Sequence, residues 1–154
     1  DKEREASQGY DGHEVFDRAL GANPNQLSVM REDIVPDAAA LLNVAATPGE
    51  ITEQGLRNDV SVGIQYIQAW LGGSGAVAIF NLMEDAATSE ISRAQVWQWL
   101  EHGKFSREDV QRITDEELAK LGDGYEQARG LFDQVATGEE FVEFLTVPAY
   151  MLLR

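Results

Sequence analysis

Near the middle of the chain stands the sequence Asn81-Leu82-Met83-Glu84-Asp85-Ala86-Ala87-Thr88. An apolar run, 76–80, precedes it, and a helical pattern with two tryptophans follows it. The adjacent carboxylates of Glu84 and Asp85 are therefore expected at the edge of a packed core. A carboxylate next to buried surface is costly to keep ionised, and such groups occur where a protein needs a tuned proton affinity. Acids that suit the dipole of a helix N-terminus are the alternative interpretation.

Helical periodicity extends on both sides of this segment, and no strand alternation is evident. We predict an all-α bundle with short loops. Thr52 and Thr88 are suited as helix N-caps, and Ser106 with Asp109 forms a capping-box pattern. Pro148 is expected to close the last helix. The predicted helices cover 13–20, 37–44, 53–71, 89–102, 106–121, 125–136 and 137–148.

Composition narrows the classes of protein. The 154 residues are 44% hydrophobic and 25% charged, which is typical of a globular domain. No apolar run approaches the roughly 20 residues of a membrane helix, and no apolar signal opens the sequence, so neither a membrane partner nor secretion is expected. The absence of cysteine excludes disulfides, thiolate nucleophiles and Cys-type metal sites.

The charge balance argues against a nucleic-acid partner. The formal net charge is −15, whereas binding of phosphate groups requires clustered Lys and Arg. The same acidity disfavours binding of a polyanionic cofactor by this chain alone. The phosphates of any such cofactor are expected to be held mainly by residues outside this sequence.

Other motifs do not indicate a site. The glycine-rich sequence 72–75 has no strand before it and no GK[ST] after it, so it predicts a structural loop. His13 and His102 lack a partner at metal-ligand spacing. Asp123-Gly124 predicts a turn, because the twelve-residue spacing of a calcium loop is missing.

Several stretches together closely resemble the C-terminal region of malate synthases, especially the A-type enzymes. The block 81–93 is highly specific, and the resemblance extends from about Val15 to Leu153. Ala78 departs from it, because relatives often carry proline there. The matching stretches are Leu56–Gly63, Tyr66–Leu71, Asn81–Arg93, Trp97–Trp99 and Phe144–Tyr150.

The resemblance implies an enzyme of the glyoxylate cycle. Malate synthases condense acetyl-CoA with glyoxylate and then hydrolyse the product to malate and CoA. Their fold is a TIM barrel followed by a C-terminal helical domain that covers the barrel mouth. By resemblance, Asp85 is the catalytic residue that takes a proton from the acetyl methyl group. Met83 and Glu84 would lie near the thioester and its pantetheine arm.

The rest of the implied site belongs to the barrel. In the family, an arginine stabilises the enolate, and a Mg²⁺ ion held by Glu and Asp polarises glyoxylate. None of those barrel motifs stands in this sequence. We therefore expect no metal site in this chain, a TIM-barrel domain of the same protein as its partner, and no activity of the chain by itself.

The resemblance also suggests how the chain is organised. Residues 1–12 resemble the segment that leaves the barrel, and 13–154 resemble the helical domain. Relatives carry a short stretch with Trp and His-Pro after the Asp-Gly pair, whereas here Gly12 runs straight into His13. We expect a fragment of the enzyme and not a new architecture. A cytoplasmic location is favoured, because Leu152-Leu153-Arg154 is not a peroxisomal Ser-Lys-Leu type address.

Two other functions compete with this interpretation. One is a non-catalytic helical module that binds a partner through the surface from Met83 to Ile91. The other is a helical metal-binding bundle that uses Glu84, Asp85 and Glu90. The second is weakened because these carboxylates lack the repeated Glu-x-x-His pattern of such bundles.

Overall fold

The computed structural model describes residues 27–35, 37–46 and 49–153. The chain divides into two units, the first ending at Glu50 and the second beginning at Ile51. The described residues of the first unit are all exposed. Helix α1 (Ala38–Leu42) begins after Asp37, whose Oδ1 accepts hydrogen bonds from the N–H groups of the second and third helical residues. Its two flanking 3-10 helices are Arg31–Asp33 and Val44–Ala46.

Of the predictions made for the first unit, only the helix over 37–44 falls largely on described residues. The core of the helix predicted over 37–44 is confirmed by α1. The predicted helix over 13–20 and the predicted boundary at residue 12 lie outside the described residues.

The second unit is mostly helical, which confirms the predicted fold class. Four of its helices are longer than ten residues, and a small antiparallel sheet joins the first two of these. None of the described helices combines the length and apolar character that crossing a bilayer requires. The elements are α2 (Glu53–Leu71), β1 (Ala76–Ile79), β2 (Leu82–Asp85), α3 (Ala86–Glu101), α4 (Arg107–Leu121), α5 (Glu126–Thr137), α6 (Thr146–Ala149) and a 3-10 helix (Tyr150–Leu152).

Helix α2 is the centre of the packing and contacts α3, α4 and α5. The Thr52 hydroxyl accepts a hydrogen bond of 3.0 Å from Gly55 N–H at its start, as predicted. The predicted capping box of α4 is also present, because Ser106 and Asp109 bond reciprocally. Four apolar residues of α2, spaced three or four positions apart, are buried in the main core: Leu56, Val60, Ile64 and Ile67.

The β-hairpin was not predicted, and it moves the start of α3. Its turn residues, Phe80 (φ 51°) and Asn81 (φ 63°), both have positive φ, as in the type I′ turn that suits the twist of a two-residue hairpin. Helix α3 begins directly after the hairpin at Ala86, so its N-cap is Asp85 and not Thr88. The prediction that Thr88 is the N-cap was wrong, because β2 ends in Asp85, a residue more favourable as an N-cap than threonine, three positions earlier.

The helix predicted from Thr137 to Pro148 is also wrong. Helix α5 runs on through Thr137, and the residues from 138 to 145 form no helix. Pro148 lies inside the short α6 and does not close a longer helix. We call residues 138–145 the C-terminal strap.

Three side chains of α3 hold the strap in place. They stand three and four positions apart, so they share one face of the helix. These side chains bond to backbone N–H and C=O groups of the strap. Such groups would otherwise be paired within a helix, so the strap can remain non-helical. Glu90 accepts from Leu145 N–H (2.8 Å), Arg93 donates to the carbonyl of Glu143 (3.0 Å), and the Trp97 indole donates to the carbonyl of Gly138 (3.0 Å).

We expect Gly63→Ala to lower the free energy of unfolding by about 1–3 kcal/mol, although alanine favours helix more than glycine does. A Cβ at Gly63 would lie 2.6 Å from Cε2 of Phe132, whose ring is fully buried. Urea unfolding followed by circular dichroism measures the effect.

The matched control is Gly130→Ala, also within a helix. A Cβ at Gly130 meets no atom within 4 Å, so this change should be neutral or stabilise by up to about 1 kcal/mol. Equal stability of the two variants would contradict the close packing of α2 on α5.

Candidate functional site

The antiparallel hairpin sorts the acidic motif onto two faces. Ala76 pairs with Asp85, Val77 with Glu84 and Ala78 with Met83. Successive side chains of a strand point to opposite faces, and the burial follows that alternation. The inner face, turned to the core, carries Val77, Ile79, Leu82 and Glu84, and the outer hairpin face carries Ala76, Ala78, Met83 and Asp85.

Asp85 ends β2 and caps α3 at the same time. Its Oδ1 accepts hydrogen bonds from the N–H groups of Ala87 (2.9 Å) and Thr88 (3.3 Å). The N-terminus of a helix is a favourable place for a negative charge. Both hydrogen bonds use the same oxygen, so the carboxylate is oriented and Oδ2 takes no part in the cap. An exposed carboxylate that is oriented through one oxygen, with the other oxygen outside the cap, has the geometry of a general base.

Met83 lies on the outer hairpin face with Asp85, as expected for two residues of one site. Its side chain is 74% exposed, and its cross-strand neighbour is the small Ala78. Phe80, at the turn, is also largely exposed. The surface beside the Asp85 carboxylate is therefore apolar and open. The long, unbranched methionine side chain can adapt to a ligand laid across it.

Glu84 does not join this surface. It is 3% exposed on the inner face, and its Oε2 has no hydrogen-bond partner among the described residues. Adjacent residues of one strand cannot both face the same reacting atom. The structure therefore separates Glu84 from Met83 and Asp85, with which it was expected to lie near one substrate.

The carboxylates of the alternative metal-binding bundle do not meet either. Glu84 points inward, Asp85 points outward, and Glu90 is engaged by Arg93 and by the strap. Within 27–35, 37–46 and 49–153, no three His, Asp or Glu side chains are grouped so that they could hold a metal ion.

Sequence reasoning gave no role to Tyr66, which the structure places behind the hairpin. The side chain packs with Val62 and Ile79 in a second apolar cluster and is 1% exposed. Its hydroxyl donates a hydrogen bond of 2.9 Å to the carbonyl of Gly75, the residue before β1. Burial raises the pKa of the phenol, and the negative charge of Asp85 raises that pKa further. The periodic pattern of this helix did not single out Tyr66, and its polar contact depends on how the loop before β1 folds.

Asp59 is a buried carboxylic acid of α2, and it faces Ser92 of α3. Burial raises its pKa to about 7, although a hydrogen bond with Ser92 opposes that rise. The folded protein therefore holds a proton on Asp59 in the window between the ordinary pKa of 3.8 and about 7, where the unfolded chain does not. Its contribution to stability is present below this window and is lost as the pH rises through it.

We expect Asp59→Asn to remove this pH dependence. The amide stays neutral at every pH, so the stability of the variant relative to the wild type should increase from about pH 4 to pH 7 and then level off. Urea unfolding at a series of pH values measures the difference. Parallel curves for the two proteins across the window would contradict the raised pKa.

Comparison with known proteins adds to this geometry. Residues 50–153 match the family described as malate synthase, C-terminal. Malate synthase from Myxococcus xanthus is 45% identical over 180 aligned positions, which cover 97% of this chain and 32% of that protein. Malate synthase A from Escherichia coli is 38% identical, with 99% of this chain and 34% of that protein covered.

A plant relative matches over a similar share of each chain. Malate synthase from Oryza sativa is 36% identical, with 99% of this chain and 33% of that protein covered. The chain thus spans about a third of the length of the curated relatives it matches. An alignment of 180 positions exceeds the 154 residues of the chain, so the Myxococcus relative carries residues without a counterpart here. The chain belongs to the malate synthase family and corresponds to its C-terminal domain.

Proposed function

We propose that this chain is the C-terminal part of an enzyme that condenses acetyl-CoA with glyoxylate and hydrolyses the resulting thioester to malate and CoA. Asp85 is the catalytic base in this proposal. The observation that carries it is the Asp85 carboxylate, which lies on the outer hairpin face with Oδ1 held by the start of α3. We place the reaction in the cytoplasm, and the absence of cysteine fits a reducing compartment.

The first step is removal of a proton from the acetyl methyl group. The C–H bond breaks, the proton moves to Oδ2 of Asp85, and the electron pair forms the enolate of the thioester. The enolate carbon then attacks the aldehyde carbon of glyoxylate, whose C=O π electrons move to oxygen as an alkoxide that takes up a proton. Water then attacks the thioester carbonyl, the C–S bond breaks, and malate and the CoA thiol are released. Met83, exposed beside Asp85, offers apolar surface to the pantetheine arm.

The outer hairpin face cannot stabilise the enolate by itself. A thioester methyl group is a very weak acid, and a carboxylate with a pKa near 4 needs positive groups around the developing charge to deprotonate it. The outer face carries two alanines, Met83 and Asp85, and thus no cation. We therefore assign the stabilising arginine, and the groups that bind the CoA phosphates, to the barrel domain.

Mg²⁺ enters the proposal only through the barrel. The Asp85 carboxylate stands alone on its face, and the described ranges bring no second and third acidic ligand to it. The residues that the structure describes therefore do not fit a Mg²⁺ site. No step assigned here to Asp85 or Met83 passes through a metal ion.

We expect malate formation from acetyl-CoA and glyoxylate by the full-length protein that carries this chain, and none by the 154-residue chain alone. Calorimetry should also detect no tight Mg²⁺ binding to the chain. Turnover by the isolated chain would refute the divided site. A full-length protein that folds but makes no malate would refute the enzymatic function and favour the interaction module.

A further inference from the structure

We propose that Tyr66 is a positioning residue for Asp85, because its hydroxyl fixes the strand that pairs with the strand carrying Asp85. This inference rests on the proposed function of Asp85. Tyr66 itself does not touch the reacting atoms.

The path from Tyr66 to Asp85 is short. The Tyr66 hydroxyl donates to the carbonyl of Gly75, and the next residue, Ala76, pairs directly with Asp85 in the hairpin. Tyr66 is 1% exposed and packs with Val62 and Ile79, so the body of α2 determines where the hydroxyl lies. The hydrogen bond therefore fixes the start of β1, which pairs with Asp85, relative to α2.

The strand end needs such an anchor. The loop 72–75 contains three glycines, and Gly73 adopts a φ of +92°, so the loop has little stiffness of its own. A two-stranded hairpin is marginally stable without further support. Without the phenol hydroxyl, the Gly75 carbonyl loses this donor, and the nearest remaining hydrogen bond from the loop to α2 is that of Ser74 N–H to the carbonyl of Ala69 (2.9 Å).

The electrostatics of the pair are consistent with this arrangement. Burial of the ring disfavours the phenolate, and the negative charge of Asp85 adds to this, so the pKa of Tyr66 is raised. The hydroxyl therefore stays protonated and remains a donor throughout the neutral pH range. The geometry would persist during turnover.

Enzyme kinetics of the full-length protein test the positioning role. Tyr66→Phe keeps the ring and removes the donor, and we expect kcat to fall by about 5- to 100-fold while KM for both substrates stays within about two-fold. Tyr125→Phe is the control, because the Tyr125 side chain makes no capping hydrogen bond at the start of α5, and its kcat should be unchanged. If Tyr66 served packing alone, Tyr66→Phe would match the wild type and only Tyr66→Leu would lose activity.

Hydrogen exchange of the 154-residue chain provides a test that does not depend on activity. In Tyr66→Phe, amides of the hairpin should exchange faster, whereas amides in the middle of α4 should not. Unchanged hairpin exchange would overturn the proposal, and so would faster exchange with unchanged kcat. A wild-type full-length protein that makes no malate would overturn the proposed function, while exchange would still decide whether Tyr66 anchors the strand.

Discussion

Replacing Asp85 with asparagine in the full-length protein is expected to lower kcat by about 10²–10⁴-fold. Asparagine keeps the size of the side chain and is as good an N-cap as aspartate, so α3 should still begin at the same residue. It cannot accept the methyl proton. The loss should fall on kcat more than on KM, because the proton moves only in the transition state. Exchange of the acetyl methyl protons with solvent should fall in parallel.

Glu84→Gln is the matched control, because it makes the same chemical change one residue away. Glu84 lies on the inner face, so its replacement should reduce kcat less. Asp85→Ala separates catalysis from folding, since it should also lower the free energy of unfolding by about 1 kcal/mol through loss of the cap. If Asp85→Asn retains kcat within a few-fold while Glu84→Gln abolishes it, the assignment of the base is wrong.

The largest expected effect on stability is that of Arg93→Met, about 3–5 kcal/mol of unfolding free energy. The guanidinium is 1% exposed, lies 2.6 Å from a Glu90 oxygen, donates to the carbonyl of Glu143 and stacks 4.3 Å from the Phe141 ring centroid. Methionine preserves apolar bulk but leaves the carboxylate of Glu90 without its cation and the strap without one of its donors.

Arg112→Met is the control for this prediction. Arg112 also forms ion pairs with carboxylates, but its side chain is 45% exposed. Pairs in contact with water contribute about 0–1 kcal/mol, so the loss should be small. Urea unfolding of the 154-residue chain measures both variants. Similar small losses in the two would show that Arg93 does not hold the strap.

The helices that were predicted well owe their bounds to local chemistry. Thr52 and Ser106 each cap the backbone N–H three residues further on, and such contacts can be seen in sequence. The hairpin was missed because its strands have four residues each and its turn carries no glycine. The strap was missed because Arg93 and Trp97 reach residues about 40 to 50 positions away, which no local pattern shows.

The candidate site could also be predicted only in part. The resemblance singled out Met83, Glu84 and Asp85 together, but only strand pairing shows which of them share a face. Because the side-chain period of a strand is two, a shift of register by one residue would exchange Glu84 with Asp85. The contact of Tyr66 with Gly75 depends on how the loop returns to α2 and has no signature in sequence.

The position of Asp85, at once the last residue of a strand and the cap of a helix, limits which mutations the gene can tolerate. Folding selects for the short polar residues that cap helices, namely Ser, Thr, Asn or Asp. In the proposed function, the reaction selects for a carboxylate. Aspartate is the only residue that meets both requirements, since glutamate carries the right group on a side chain that is not favoured at an N-cap. Selection for abundance should therefore still permit asparagine at position 85, and selection for growth that requires malate synthesis should not.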